Sequence, residues 1–157
     1  MKKLFIIVCL LTTTSLICFS QSDSYYAIRM DRLNKVAAVL SYGMLYNTYR
    51  VIGSNCDGLI GNIYTVADVN ERMKYEMDLI NILLKHMTNL VNIEQNGENI
   101  YYYNTFIQGF NGLYKQAQLL LDYAANKTKE KMDAFIVQRN INFADIKKLE
   151  GELFTKK

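Results

Sequence analysis

Apolar residues recur at alternating spacings of three and four along most of the chain, and no long run alternates apolar with polar. That period belongs to helices and not to strands. The clearest row is Tyr103, Phe106, Phe110, Leu113, Ala117, Leu120 and Ala124, with Ile107, Tyr114 and Leu121 beside it. So broad an apolar face needs neighbours on more than one side, which fits a helix packed in a bundle.

The other segments follow the same grammar. A first helix is expected over 24–52, with Tyr26, Met30, Leu33, Ala37, Leu40, Met44 and Val51 turned to the core and Gly53 closing it in the left-handed conformation. Gly43, inside that helix, points to a bend or a close crossing. Residues 53–65 hold three glycines with Leu59, Ile60, Ile63 and Tyr64, so a loop packed against the core is expected there. Thr65 then has the features of an N-cap. Asp68 follows three residues later and Tyr64 is placed to staple onto Val69.

The second helix runs to about 93, with Val66, Val69, Met73, Met77, Ile80, Leu84, Met87 and Val91 on its buried face, Leu83 and Leu90 alongside, and Glu71, Asp78, Lys85 and Asn89 on the wet side. The polar run 95–99 is short enough to turn the chain back antiparallel into the third helix. Beyond Ala124 two readings compete: one helix continuing to about 139, or a turn near Lys127 followed by a fourth helix. Asn140 and Asn142 mark an expected break before a short amphipathic helix carrying Phe143, Ile146, Leu149 and Leu153. The expected fold is an all-α antiparallel up-and-down bundle of three long helices plus a C-terminal helical segment, forming a single domain over 21–157.

The N-terminus changes this picture. Lys2 and Lys3, the apolar run from Leu4 to Leu11 and a polar stretch with small residues have the layout of an export signal over 1–20. Cleavage is expected after Ser20, while an uncleaved signal would act as an anchor. The residues before Cys18, Leu16 and Ile17, lack the small neighbour of a lipidated cysteine. Losing Lys2 and Lys3 lowers the net charge from +3 to about +1, which removes the electrostatic case for nucleic-acid binding. It also removes Cys9 and Cys18, so Cys56 has no partner within the chain and is either buried or paired between chains.

Candidate chemistry is sparse. Gly53 and Gly58 have the glycine spacing of a phosphate loop, but Leu59 and Ile60 stand where Lys and Ser or Thr are needed, so a glycine turn is the simpler expectation. His86 is the only histidine and belongs to the polar side of its helix. No Glu-x-x-His pair is present for a bundle metal site, and the Glu71 and Asp78 spacing is that of any wet stripe. Neither catalytic, metal nor cofactor residues are assigned. Tyrosine is abundant, at twelve residues. Consecutive Tyr101, Tyr102 and Tyr103 cannot all face the core, so Tyr101, Tyr102, Tyr42 and Tyr64 are the candidate partner surface, unless the rings simply border the core with their hydroxyls in water.

These features are similar in general plan to the minor pilus-type components of conjugation and secretion machines, which likewise place a signal peptide before a small helical bundle. The implied role is a non-enzymatic interaction or accessory subunit of a cell-envelope assembly, periplasmic or extracellular, with a protein partner or homo-oligomer. The alternative is a periplasmic module that binds a small ligand between its helices.

Overall fold

The computed structural model describes the backbone of residues 2–154 and the side chains of 25–154. The expected export signal and its cleavage after Ser20 lie outside the residues whose side chains are described. The described residues are all-helical, in four helices: α1 (Lys2–Ile60), α2 (Val66–Ile93), α3 (Gly97–Ala125) and α4 (Lys129–Phe154). The chain divides into two compact units, 1–37 and 38–157.

In the first unit the described part of α1 carries Tyr25, Tyr26, Ile28, Met30, Leu33 and Val36, all between 52% and 64% exposed. An ion pair joins Lys35 to Asp31 at 2.8 Å along the helix. Leu40 and Met44, in the second unit, are exposed as well. The expected inward stripe from Tyr26 to Met44 is therefore an outward one. The buried face of α1 is instead Leu45, Ile52, Cys56 and Leu59, with Thr48 and Asn55. Apolar residues occur on several sides of this helix, and periodicity alone does not say which side meets a neighbour.

The second unit is built on α3, whose Phe106, Phe110, Leu113, Ala117 and Leu120 are almost wholly buried. Asn96 caps its start, its side-chain oxygen accepting from the backbone N–H groups of Glu98 and Asn99. The turn between α2 and α3 brings these two helices together antiparallel. On the other side α3 meets α4 antiparallel, with Tyr101 near Glu152 and Gly112 against Asn142. Helix α4 also runs antiparallel to α1, pairing Tyr42 with Phe154 and Tyr49 with Phe143. Leu45 of α1 approaches Gly109 so closely that an added Cβ there would lie 3.0 Å from it.

The Thr65 cap forms as expected. Its hydroxyl accepts from Asp68 N–H at 3.2 Å, and the Asp68 carboxylate accepts from Thr65 N–H at 2.8 Å. The hydrogen bonds from Thr65 hold the Asp68 carboxyl below the ordinary carboxylate range. Ahead of this cap, however, the helix end is misplaced in the sequence reading. Helix α1 passes through Gly53 and Gly58 and stops only at Ile60. No described glycine takes a positive φ, and Asn62, at φ 55°, makes the left-handed turn instead. The Gly58 carbonyl accepts from Ile63 and Tyr64 N–H at 2.8 and 3.1 Å, and a Cβ on Gly58 would strike the Tyr64 ring. Residues 53–60 are thus helix and not loop. Leu59 is buried, while Ile60 and Ile63 face solvent.

At the C-terminus the reading with a turn near Lys127 and a fourth helix is the one that forms: the chain turns at 126–128, where Asn126 N–H bonds back to the Asp122 carbonyl and closes α3. The break expected at Asn140 and Asn142 is what needs correction, since α4 runs unbroken through both. The described residues thus form four long helices. Asn142 does not break the helix because its side chain is buried and fully engaged across the α3–α4 interface.

Cys56 is buried and free. Burial, with a smaller push from Asp57 and an opposing one from Arg139, raises its thiol pKa to about 11.

Phe110 is completely buried, so Phe110→Ala should cost about 3–5 kcal/mol in urea or thermal melts. His86 is exposed, and His86→Ala should stay within about 0.5 kcal/mol of the parent. Equal stability of the two variants would show that the core is misassigned.

Candidate functional site

Two places in the four-helix unit gather polar and aromatic groups that a uniform core would not contain. The first is the end where α4 finishes and α3 begins. Tyr42 meets Phe154 edge-on at 5.4 Å and stacks on Tyr46 at 6.3 Å. Burial, then the Glu150 carboxylate, raises the Tyr42 phenol above its ordinary pKa. Glu150 itself is held below the usual range by the hydrogen bond from Lys147 at 2.6 Å. Tyr101 is half exposed, lies edge-on to Tyr102 at 5.7 Å, and donates its hydroxyl to Glu152 at 3.2 Å. Beside it a groove of about 280 Å³ runs between α3 and α4, with Asn104, Gln108, Asp145 and Lys148 on its walls and Leu45, Gly109 and Leu149 at its base.

The structure thus brings Tyr42, Tyr101 and Tyr102 to one end and leaves Tyr64 at the other. Tyr102 is half-buried against the core and Tyr42 likewise, which leaves Tyr101 as the open ring of the set. Tyr64 lies beneath the Arg72 guanidinium, 4.2 Å from its ring centre, in a cation–π contact. Three of the four candidate tyrosines are therefore gathered at one end and Tyr64 lies apart from them.

The second place is a groove of about 520 Å³ between α1 and α2, lined by Val51, Asn55, Asp68, Glu71, Arg72, Tyr75 and Glu76. Asn55 is 3% exposed. Its amide N–H donates to the Val51 carbonyl at 2.8 Å, while its side-chain oxygen has no hydrogen-bond partner among the described residues. Burial pushes the Glu76 carboxyl upward. Glu71 and Asp78 fall apart: Glu71 lines this groove and Asp78 does not.

Gly53 and Gly58 lie inside α1, where the backbone N–H groups are committed to the helix and cannot cradle a phosphate. Among the described residues no three His, Cys, Asp or Glu side chains cluster to hold a metal ion, and none of the described helices is long and apolar enough to cross a membrane.

What sequence reasoning missed is a buried amide layer between α3 and α4. Asn142 donates to Gln116 Oε1 at 2.7 Å and to the Gly112 carbonyl at 3.0 Å, and Gln138 donates to Asn142 Oδ1 at 2.9 Å. The signal was available as Gln116, next to the apolar row, and the i, i+4 pair Gln138 and Asn142. It reads as a wet face until the neighbouring helix is known. The described residues define an all-α protein with a four-helix unit and an exposed N-terminal helix face. No family model, curated protein or solved structure matches the chain.

Replacing Asn142 by Ala strands Gln116 Oε1 and the Gln138 amide N–H, while the Gly112 carbonyl keeps its bond within α3. The change should cost about 1–3 kcal/mol per orphaned group in equilibrium unfolding. Gly112→Ala should be comparably damaging, because its Cβ would run into Asn142 Oδ1. A neutral Asn142→Ala would mean that the layer is reached by water.

Proposed function

We propose that this chain is an exported, non-enzymatic interaction subunit of a cell-envelope assembly, of the kind that serves conjugation or secretion machines, with its contacts to protein and not to nucleic acid. The export signal read at 1–20 supports the location. The observation that carries the role is the exposed apolar surface of α1, where six large apolar side chains from Tyr25 to Val36, on two sides of the helix, are each more than half open to solvent. Apolar surface left open in this way marks an interaction segment. The open Tyr101 ring at the end of the α3–α4 groove is a second contact element, since an amphipathic ring gives area with little entropy loss. The four-helix unit supplies the rigid scaffold.

The alternative is a small-ligand module, favoured by the α1–α2 groove and by the unpartnered Asn55 oxygen beside it. Such a ligand would bring a hydrogen-bond donor, and native mass spectrometry of the purified protein would reveal it as a retained small mass.

The deciding experiment expresses the tagged full chain in its source cell with a photo-crosslinking residue at Tyr26 or Tyr101. The expected result is a protein recovered in the envelope fraction, beginning at Gln21, with discrete heavier adducts on irradiation. A chain retained in the cytoplasm with its first residues intact and no adduct would overturn the reading.

A further inference from the structure

We propose that the groove between α1 and α2 binds a primary ammonium group, with the Asn55 side-chain oxygen accepting from its N–H donors and Glu71 and Glu76 meeting its charge. The proposal rests on the reading of this groove as a ligand site, names the chemistry of that ligand, and is independent of the envelope role.

The argument starts from Asn55, which lines the groove and is 3% exposed. Its amide nitrogen is pinned to α1 itself, donating to the Val51 carbonyl at 2.8 Å. The side-chain oxygen is the other end of that amide, and no described residue donates to it. A buried acceptor without a donor is costly, so the donor comes from outside the chain, from water or from a ligand.

The walls decide between those two. Three carboxylates, Asp68, Glu71 and Glu76, line the groove with one cation, Arg72. Asp68 is committed to Thr65, accepting from its hydroxyl at 2.7 Å and its backbone N–H at 2.8 Å. The Arg72 guanidinium lies 4.2 Å from the centre of the Tyr64 ring. That leaves Glu71 and Glu76, neither of which forms an ion pair among the described residues. Glu76 is half-buried, and no cation offsets the burial that pushes its carboxyl upward. A positive charge in the groove meets that need, and a neutral water does not.

The kind of cation follows from the donors it must carry. An ammonium is compact and has three, enough for one amide oxygen and two carboxylates. A guanidinium is a rigid planar fork, matched to a carboxylate pair and not to a single recessed oxygen. A metal ion fits poorly, because no three His, Cys, Asp or Glu side chains cluster among the described residues. Tyr75, 67% exposed on the same groove, offers its ring to an alkyl stem, and a volume of about 520 Å³ admits a stem of several carbons. A free alkylamine and a lysine side chain of a partner protein present the same head.

The test titrates the full chain with n-butylammonium at low ionic strength, up to about 50 mM because so small a probe binds weakly, and follows two-dimensional NMR spectra. Saturable shifts are expected at the Asn55 side-chain amide and at Glu76. N,N,N-trimethylbutylammonium has the same charge without N–H donors and should bind at least about tenfold more weakly. Asn55→Leu removes the stranded oxygen at similar volume, and should lose at least about tenfold in affinity with no loss of melting temperature. Glu76→Gln keeps the shape of the wall and should lose about tenfold as well. Nα-acetyl-lysine amide separates the sources: tighter binding than n-butylammonium assigns the groove to a partner's lysine, weaker binding to a free amine.

Failure of n-butylammonium to saturate, equal binding of the trimethyl ion, or unchanged affinity in Glu76→Gln overturns the proposal. Saturable binding of n-butanol or butyrate in its place sinks the ammonium but spares the groove as a ligand site. If none of these probes binds and Asn55→Leu is destabilised, the oxygen belongs to a bound water and both readings of the groove fall.

Discussion

The contact between Gly112 and Asn142 sets how α3 and α4 meet. Only a residue without a Cβ leaves room for the Asn142 carboxamide, which then reaches the Gly112 carbonyl and Gln116 at 3.0 and 2.7 Å. Hydrophobic burial drives the two helices together but is indifferent to a slide of one turn, because an apolar stripe repeats. The amide layer is not indifferent. A shift of either helix would separate Asn142 from Gln116 and strand buried polar groups, each costing about 1–3 kcal/mol. The layer therefore contributes alignment more than cohesion, and the Tyr42–Phe154 and Tyr101–Glu152 contacts at the bundle end follow from the register it selects.

How much of this was legible in the sequence varies with the kind of signal. The α3 row from Phe106 to Ala124 and the Thr65–Asp68 cap were legible because each is a local pattern with one physical meaning. The end of α1 was not. Gly53 and Gly58 offered a stop, yet their value lies in close approach, to the Arg139 side chain and to the Tyr64 ring, and Asn62 supplied the left-handed turn that a glycine was expected to make. Asn142 failed for the opposite reason. Asparagine competes with the helix backbone when its side chain is free to do so, and here α3 occupies that side chain.

The tyrosine surface illustrates a related limit. Residues 42 and 101 are distant in sequence and come to one end only because each meets the C-terminal turn of α4, at Phe154 and Glu152, while Tyr64 is taken to the far end by the length of α1. No periodicity within one segment carries that information. Exposure of the Tyr26 to Leu33 row could not be read either, since a seam for any other helix and a stripe for the same chain's core share one spacing.

Cys56 gives the fold a chemical property of its own. With its thiol buried and its pKa near 11, only about one folded molecule in ten thousand carries a thiolate at pH 7, and thiolate is the species that attacks a disulfide. Cys56 in the folded protein is thus almost inert to thiol–disulfide exchange. In an oxidising medium it would neither capture glutathione nor be trapped by an oxidoreductase once α1 has packed, so its reactivity is confined to the interval before folding is complete.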